Sequence, residues 1–183
     1  AKLNLAKTDG RTGEAIAGVH YLVEAANDIT THEGTLHARA GEVVDTLTTD
    51  EDGRAVSREL YLGVYNVREA KAPDGYALDH ETHVVRLESA GQDVPVVETE
   101  LQATTMPTTL RLKKVDSTTG QPLAGARFRV WNNSEYDQEF ETDEQGEIVV
   151  EYIAHGSYSL QEVQAPFGYW IEEEQREPVR LAV

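Results

Sequence analysis

Short runs in which apolar and polar residues alternate recur along the whole chain. The clearest runs are residues 19–23, 65–67, 128–130 and 158–160. Alternation with a period of two predicts β-strands with one buried face, and the Asp-Gly pairs between the runs favour tight turns. No segment has a helical period of useful length. Several short strands at this spacing predict an all-β protein of sandwich architecture.

The chain also contains an internal repeat. The pattern L-x-L-x-K-x-D-x-x-T-G starts at Leu3 and again at Leu110, which is 110 − 3 = 107 positions further on. The patterns T-D-x-x-G, G-x-Y-x-[VL]-x-E and A-P-x-G-Y recur at a smaller spacing of 93, as from Thr49 to Thr142. The first copy therefore carries 107 − 93 = 14 extra residues between the blocks, within residues 24–48. Such an insertion predicts a longer loop or an extra hairpin.

The repeat divides the chain into two tandem Ig-like or prealbumin-like β-sandwich domains. The predicted boundaries are 1–102 for the first domain, 103–109 for a polar linker and 110–183 for the second domain. The segment 178–183 matches residues 83–88, the penultimate strand of the first copy. The second copy is therefore expected to lack its last strand, as an excised fragment would. An open edge there would invite strand addition.

Composition excludes several classes of function. The net charge is −17, with 33 acidic and 16 basic residues, which disfavours binding to nucleic acid or to an anionic membrane surface. The chain has no cysteine, so disulfides and thiolate metal sites are excluded. There is no apolar run long enough to predict membrane insertion within this segment. No enzyme motif appears, and we expect neither a cofactor nor a bound metal.

One lysine and one glutamate in each copy share a strand face with apolar residues. Residues i and i+2 of a strand point the same way, so Lys7 follows Leu3 and Leu5 toward the core, and Lys114 does the same in the second copy. The same parity turns Glu69 and Glu162 inward. Two interpretations remain open. The residues form a buried ion pair, or burial favours an uncharged, nucleophilic lysine beside a glutamate that transfers protons.

The combined motifs resemble the Cna-B-type, SpaA-like prealbumin domains of Gram-positive pilins and surface adhesins. The resemblance occurs twice and covers most of the chain. It implies an extracellular, cell-wall-attached protein in which this segment is a structural stalk or spacer between neighbouring domains. It also implies an autocatalytic isopeptide bond from Lys7 or Lys114 to an Asn or Asp on the last strand, with Glu69 or Glu162 as catalyst. Such a reaction would be single-turnover, so the protein is not expected to be an enzyme.

The acceptor of such a bond is not evident from the sequence. The last strand of the first copy is expected at residues 94–101, and its parity leads to Glu98 and Gln102 as candidate acceptors. No Asn or Asp follows Asp93 in that strand. In the second copy, any acceptor would lie beyond Val183 or come from another segment. The alternative function is a binding module that contacts a host matrix protein or glycan through the long loop of the first domain.

Overall fold

The computed structural model describes residues 1–89 and 98–183, with the side chains of residues 98 and 99 excepted. The described chain forms two compact units, Ala1–Met106 and Pro107–Val183. Apart from one short 3₁₀ helix, the regular structure in these residues is β-strand, which confirms the all-β prediction. The expected linker is shorter than the sequence indicates, because residues 103–105 belong to a strand of the first unit.

The first unit is a sandwich of a three-stranded and a four-stranded sheet. Its strands are β1 (Lys2–Asp9), β2 (His20–Ala25), β3 (Ile29–Thr30), β4 (Leu36–Ala38), β5 (Val43–Thr48), β6 (Arg54–Val56), β7 (Gly63–Lys71), β8 (Thr82–Leu87) and β9 (Glu98–Thr105). The strand orders are β6-β1-β9 and β5-β2-β7-β8. β9 pairs parallel to β1 over eight residue pairs, whereas the other pairings are antiparallel.

Alternating residues from both sheets make the core of the first unit. On β1 every second residue is buried from Leu3 to Asp9. Tyr21 and Val23 on β2, with Tyr65 and Val67 on β7, face them from the other sheet and are at most 2% exposed. Burial of this apolar surface stabilises the sandwich and fixes the strand register, because a one-residue slip would turn the same side chains to water.

The 14 extra residues of the first copy include a small additional hairpin, β3–β4. Ile29 on β3 and Ala38 on β4 are buried and join the core. Gly63 makes room for this contact, since a Cβ at that position would overlap Ile29 Cδ1. The tip between the strands, residues 32–35, is exposed. The sequence predicted either a longer loop or an extra hairpin for this insertion, and the structure shows the hairpin.

The second unit repeats this arrangement in a smaller form. Its elements are β10 (Thr109–Lys113), β11 (Arg127–Trp131), β12 (Asp137–Glu141), β13 (Glu147–Glu151), β14 (Ser157–Gln164), the 3₁₀ helix (Glu173–Arg176) and β15 (Val179–Ala182). The strand orders are β10-β13 and β12-β11-β14-β15. Within the described residues no strand pairs with the second edge of β10, the place that β9 takes beside β1.

β15 is the counterpart of β8, as the sequence match indicates, but its register differs by one residue. Val85 lies opposite Tyr65, and Leu181 lies opposite Tyr158. The sequence match would have placed Arg180 there. The strand pairing therefore turns Leu181 and Val183 toward the apolar cluster of the unit. The connection that contains the 3₁₀ helix takes up the difference in length.

Candidate functional site

Lys7 is a fully buried lysine at the end of β1. Its side chain is 0% exposed, and Nζ donates to Glu69 Oε2 on β7 of the opposite sheet at 2.9 Å. The Glu69 side chain is also 0% exposed. The strand alternation predicted this burial, and the structure brings the two residues together across the sandwich. A charged pair removed from water needs good geometry and further hydrogen bonds to be stable.

Two further oxygen atoms surround the Lys7 amine. Nζ donates to the main-chain oxygen of Thr104 on β9 at 3.0 Å. Asp79 Oδ2, in the connection between β7 and β8, lies 3.9 Å from Nζ, and the Asp79 side chain is 19% exposed. The Tyr21 ring completes the enclosure, with its centroid 5.8 Å from Nζ. One amine thus lies between two carboxylates, a carbonyl and an aromatic ring.

Tyr21 reports the low polarity and negative potential of this cluster. Burial, and then the nearby Glu69 and Asp79 carboxylates, raise the pKa of the Tyr21 phenol. Its hydroxyl lies 3.5 Å from Glu69 Oε2. The phenol therefore remains protonated and can serve only as a hydrogen-bond partner of Glu69, because its ionised form is disfavoured by both causes.

Only one of the two carboxylate oxygens of Glu69 has a hydrogen-bond partner among the described residues. Oε2 accepts from Lys7, whereas Oε1 is buried and has no hydrogen-bond partner within the described part of the chain. Glu162 shows the same asymmetry in the second unit. An unsatisfied buried oxygen is costly, and such groups call for a functional or structural reason.

A glycine fixes the main chain of the lysine. Gly53, in the T-D-x-x-G motif, has a φ of +69°, and a Cβ there would lie 2.5 Å from the Lys7 carbonyl oxygen. The Gly53 carbonyl accepts the Lys7 N–H at 2.8 Å, and Lys7 O accepts the Ile16 N–H at 3.0 Å. Gly146 approaches Lys114 in the same way. The sequence indicated only a turn here, and the structure adds that this turn clamps the lysine peptide.

Of the two candidate acceptors on the last strand, Gln102 does not meet Lys7. The Glu98 side chain lies outside the described residues. Gln102 is exposed and pairs with Ala6, so it is on the outer face of the sheet. The inward positions include Ala103, which lies opposite Lys7 in the register, and Thr105. The parity inferred from the valines at 94 and 96 does not carry through to β9, and those valines are outside the described residues.

Asp79 is the site residue that the sequence reasoning missed. It is three residues beyond the A-P-x-G-Y motif, in a connection where strand parity gives no information. Its counterpart at the 93-residue spacing is Glu172, so a search for repeated residues passes over it. A search for carboxylates just after the repeated motif would have found both.

Asp79 also belongs to a small group that could hold a cation. One ligand atom each of Asp79, Glu81 and His83 lie within 4.8 Å of one another, and Glu81 is exposed. His83 Nε2 is 3.6 Å from Asp79 Oδ2. Because Asp79 also faces the Lys7 amine, its carboxylate is shared between the two groups.

The second unit holds a more open version of the lysine site. Lys114 Nζ donates to Glu162 Oε2 at 2.7 Å, with the side chains 19% and 4% exposed. Lys114 borders a surface depression of about 400 Å³ that Leu123, Tyr169 and Trp170 also line. The difference from Lys7 follows from the edge of β10 that has no partner strand among the described residues, because β9 covers the corresponding position in the first unit.

The D-x-x-T-G motif and the tyrosine of the A-P-x-G-Y motif meet in both units. Tyr76 donates to Asp9 Oδ2 at 3.2 Å, and Tyr169 donates to Asp116 Oδ2 at 2.8 Å. The Thr119 N–H, the Tyr169 hydroxyl and the Thr118 N–H lower the pKa of Asp116 to about 2. This contact joins the end of the first strand to the connection that carries Asp79 in the first unit.

Comparison with known proteins identifies the family. The family model for the SpaA prealbumin-like fold domain matches residues 1–101 and again residues 108–180. The chain belongs to this family and contains its domain twice. No helix in the described residues is long and apolar enough to cross a membrane.

Individual relatives are more distant. A segment of 46 residues is 37% identical to the trypsin-resistant surface T6 protein of Streptococcus pyogenes, and it covers 25% of this chain and 9% of that protein. The Bacillus anthracis TIE protein is 24% identical, with a TM-score of 0.49 over 99% of this chain and 30% of that one. A streptococcal ancillary pilin is also 24% identical, with a TM-score of 0.45 over 100% of this chain and 58% of that one.

Proposed function

We propose that the chain is a structural spacer within a Gram-positive cell-surface protein, either an adhesin stalk or a pilus-like protein. Two SpaA domains in series support this proposal, since tandem modules extend a chain without adding chemistry of their own. The observation that carries it is the inward-facing lysine–glutamate pair at the same place in both units. Its partners are then the neighbouring domains of the same extracellular protein.

An intramolecular amide bond from the buried lysine is the second part of the proposal. Lys7 and Glu69 are fully enclosed and in direct contact, with a second carboxylate beside them. A permanently bonded domain would resist unfolding and proteolysis where no disulfide is available, because the chain has no cysteine. Each bond forms once, so the reaction requires no turnover.

In the second unit the acceptor for Lys114 is supplied by an added strand. β10 has one edge without a partner among the described residues, and Lys114 and Glu162 lie beside it. A strand that paired parallel to β10, as β9 pairs to β1, would cover both side chains.

A display experiment tests the spacer role. The chain is placed between a cell-wall anchor and a reporter domain on a Gram-positive host, and antibody access to the reporter is measured. We expect access to depend on the number of SpaA units and to survive exchange of exposed surface residues. Access that is the same with no unit, one unit or two would contradict a spacer role.

The β3–β4 hairpin favours one alternative function. Its tip, residues 32–35, is exposed, while Ile29 and Ala38 anchor it to the core. A rigidly held exposed loop is the usual form of a binding site on a sandwich, here for a host matrix protein or glycan. Replacing residues 32–35 by a linker of glycine and serine removes the tip of the hairpin but keeps Ile29 and Ala38, which anchor it to the core. Loss of binding to a panel of matrix proteins and glycans, with unchanged reporter access, would establish the binding role.

A further inference from the structure

We propose that Asp79 is the acceptor of the Lys7 amide bond, so that the first unit is closed through the β7–β8 connection and not through its last strand. This inference rests on the proposed crosslink and names its second residue. Asp79 Oδ2 lies 3.9 Å from Lys7 Nζ. Apart from Glu69, it is the carboxylate that the described residues place within ion-pair distance of this amine.

The main chain holds the Asp79 connection against the end of β9. The Ala77 N–H donates to Met106 O at 3.1 Å, and Thr105 Oγ1 donates to Ala77 O at 2.7 Å. These bonds fix the chain two residues before Asp79. Thr105 thus occupies an inward position of the last strand but is used to position the connection. The acceptor therefore comes from the connection and not from β9.

The two oxygen atoms of Asp79 have different surroundings, and these match the two roles that amide formation requires. Oδ2 faces the Lys7 amine. Oδ1 accepts the main-chain N–H of Glu81 at 2.8 Å. A main-chain donor on the carbonyl oxygen stabilises the negative charge that develops there during attack on Cγ. Oδ1 therefore becomes the amide oxygen, and Oδ2 is the leaving atom.

Glu69 has the opposite arrangement and suits proton transfer. Its Oε2 is 2.9 Å from Lys7 Nζ, but its Oε1 receives no hydrogen bond within the described residues. A carboxylate without a donor on its second oxygen is poorly prepared for attack. It is well placed to take a proton from Nζ and pass it to Asp79 Oδ2. Glu69 is therefore the acid–base group and Asp79 the electrophile.

The reaction balances without an external reagent. Neutral Lys7 Nζ attacks Cγ of protonated Asp79, and the N–C bond forms. Glu69 accepts one proton from Nζ and returns it to Oδ2, which already carries a proton and leaves as water. A lysine ammonium and an aspartate carboxylate are together equivalent to an amine and an acid, so the net change is the loss of one water. The 3.9 Å separation must shorten slightly to reach attack distance.

The second unit provides an internal control. Glu172 replaces Asp79 at the 93-residue spacing, and its Oε1 accepts the Trp170 indole N–H at 3.1 Å. The carboxylate within ion-pair distance of Lys114 is Glu162, as far as the described residues show. The mechanism therefore predicts one bond in this chain and not two.

Intact mass under denaturing conditions tests the inference. The purified chain is expected to weigh one water less than its sequence, and fragmentation is expected to link Lys7 to Asp79. Asp79→Ala should restore the full mass. Asp79→Asn should form the same amide with loss of one ammonia instead of water, so its final mass should equal that of the bonded wild type. Asp74→Ala, an exposed carboxylate of the same connection, is the matched control and should keep the loss.

The possible results separate the two levels of the proposal. A full-mass wild type would overturn both the acceptor and the crosslink in this unit and would leave the spacer role standing. A loss that persists in Asp79→Ala would overturn Asp79 as acceptor and keep the crosslink, with loss of ammonia pointing to Gln102 and loss of water to Glu98. Because a misfolded Asp79→Ala would also keep its full mass, Asp79→Asn is the cross-check: it retains the size of the side chain and should still lose one ammonia.

Discussion

Lys7 and Lys114 start from the same sequence motif and are paired with equivalent glutamates, yet their surroundings differ. Lys7 lies under β9 and is sealed from water, with a main-chain oxygen and a second carboxylate beside it. Lys114 lies at a strand edge that no strand covers in the part of the chain that the structure describes, and its side chain is 19% exposed. The comparison separates two contributions to the site. The first strand and the glutamate strand create the ion pair, and the last strand creates the enclosure.

The largest expected difference between the units comes from removing the lysine. Lys7→Met leaves Glu69 buried without its partner and also prevents the proposed amide bond, so it should lower the free energy of unfolding of the first unit by at least about 3–5 kcal/mol. Lys114→Met should cost about 1–2 kcal/mol, because water reaches that pair. Both tryptophans, Trp131 and Trp170, lie in the second unit. Urea unfolding followed by tryptophan fluorescence and by circular dichroism therefore separates the two. Equal losses would show that β9 does not alter the pair.

The glycine that clamps the lysine peptide should matter almost as much. Gly53→Ala forces a Cβ against the Lys7 carbonyl and places alanine at a positive φ, so we expect a loss of about 2–4 kcal/mol. Gly13→Ala is the matched control, since its φ is +77° but nothing lies within 4 Å of the added Cβ. It should cost only about 1 kcal/mol. The same urea titration measures both, and similar losses would remove the clamp as an explanation.

The tyrosine contacts should show a smaller difference in the same direction. Asp9 is 2% exposed, so Tyr76→Phe removes a donor from a buried carboxylate and should cost about 1–2 kcal/mol. Tyr169→Phe removes the equivalent bond at an exposed position and should have less effect. Thermal unfolding of both variants checks the order. A greater effect of Tyr169→Phe would contradict it.

The smallest expected effect is the loss of stability of the second unit at acid pH when Asp116 becomes protonated. The pKa of Asp116 is about 2 in the folded protein against an ordinary value of 3.8, so the folded state binds fewer protons than the unfolded state between these values. The stability that Asp116 contributes is therefore present above pH 3.8 and is lost as the pH falls toward 2. Asp116→Asn should flatten this part of the stability curve measured by tryptophan fluorescence. If the slope of stability against pH is unchanged in Asp116→Asn, the Asp116 charge does not contribute to the stability of the second unit.

Much of this architecture can be predicted from the sequence because it depends on period-two alternation. The inward direction of Lys7 and Glu69 and the position of the insertion follow from residue parity and repeat spacing, and the structure agrees. The register of β15 could not be fixed in this way, because a short strand after a connection of altered length can be aligned one residue off with little change in pattern. Strand pairing opposite Tyr158 decides it.

Asp79 and the inward face of β9 were beyond the reach of the same reasoning. On the core face of β9, Leu101 is apolar, but Ala103 and Thr105 are small or only partly apolar, so the alternation is weak. Asp79 lies outside any strand, and its approach to Lys7 depends on hydrogen bonds between the connection and the end of β9. Contacts of this kind join distant parts of the chain and leave no local pattern.

The parallel pairing of β1 and β9 has a mechanical consequence. The first unit begins near Lys2 at the start of β1, and β9 ends at Thr105, at the opposite end of the same pair of strands. A pulling force applied to these two ends acts along the strands in opposite directions and loads their hydrogen bonds in shear, so they resist together and do not open one at a time. An amide bond at Lys7 would stop the extension of the chain between residues 7 and 79 even after the sheet had yielded. The residues outside this closed segment could still extend and dissipate mechanical energy while the amide bond keeps the chain between residues 7 and 79 short.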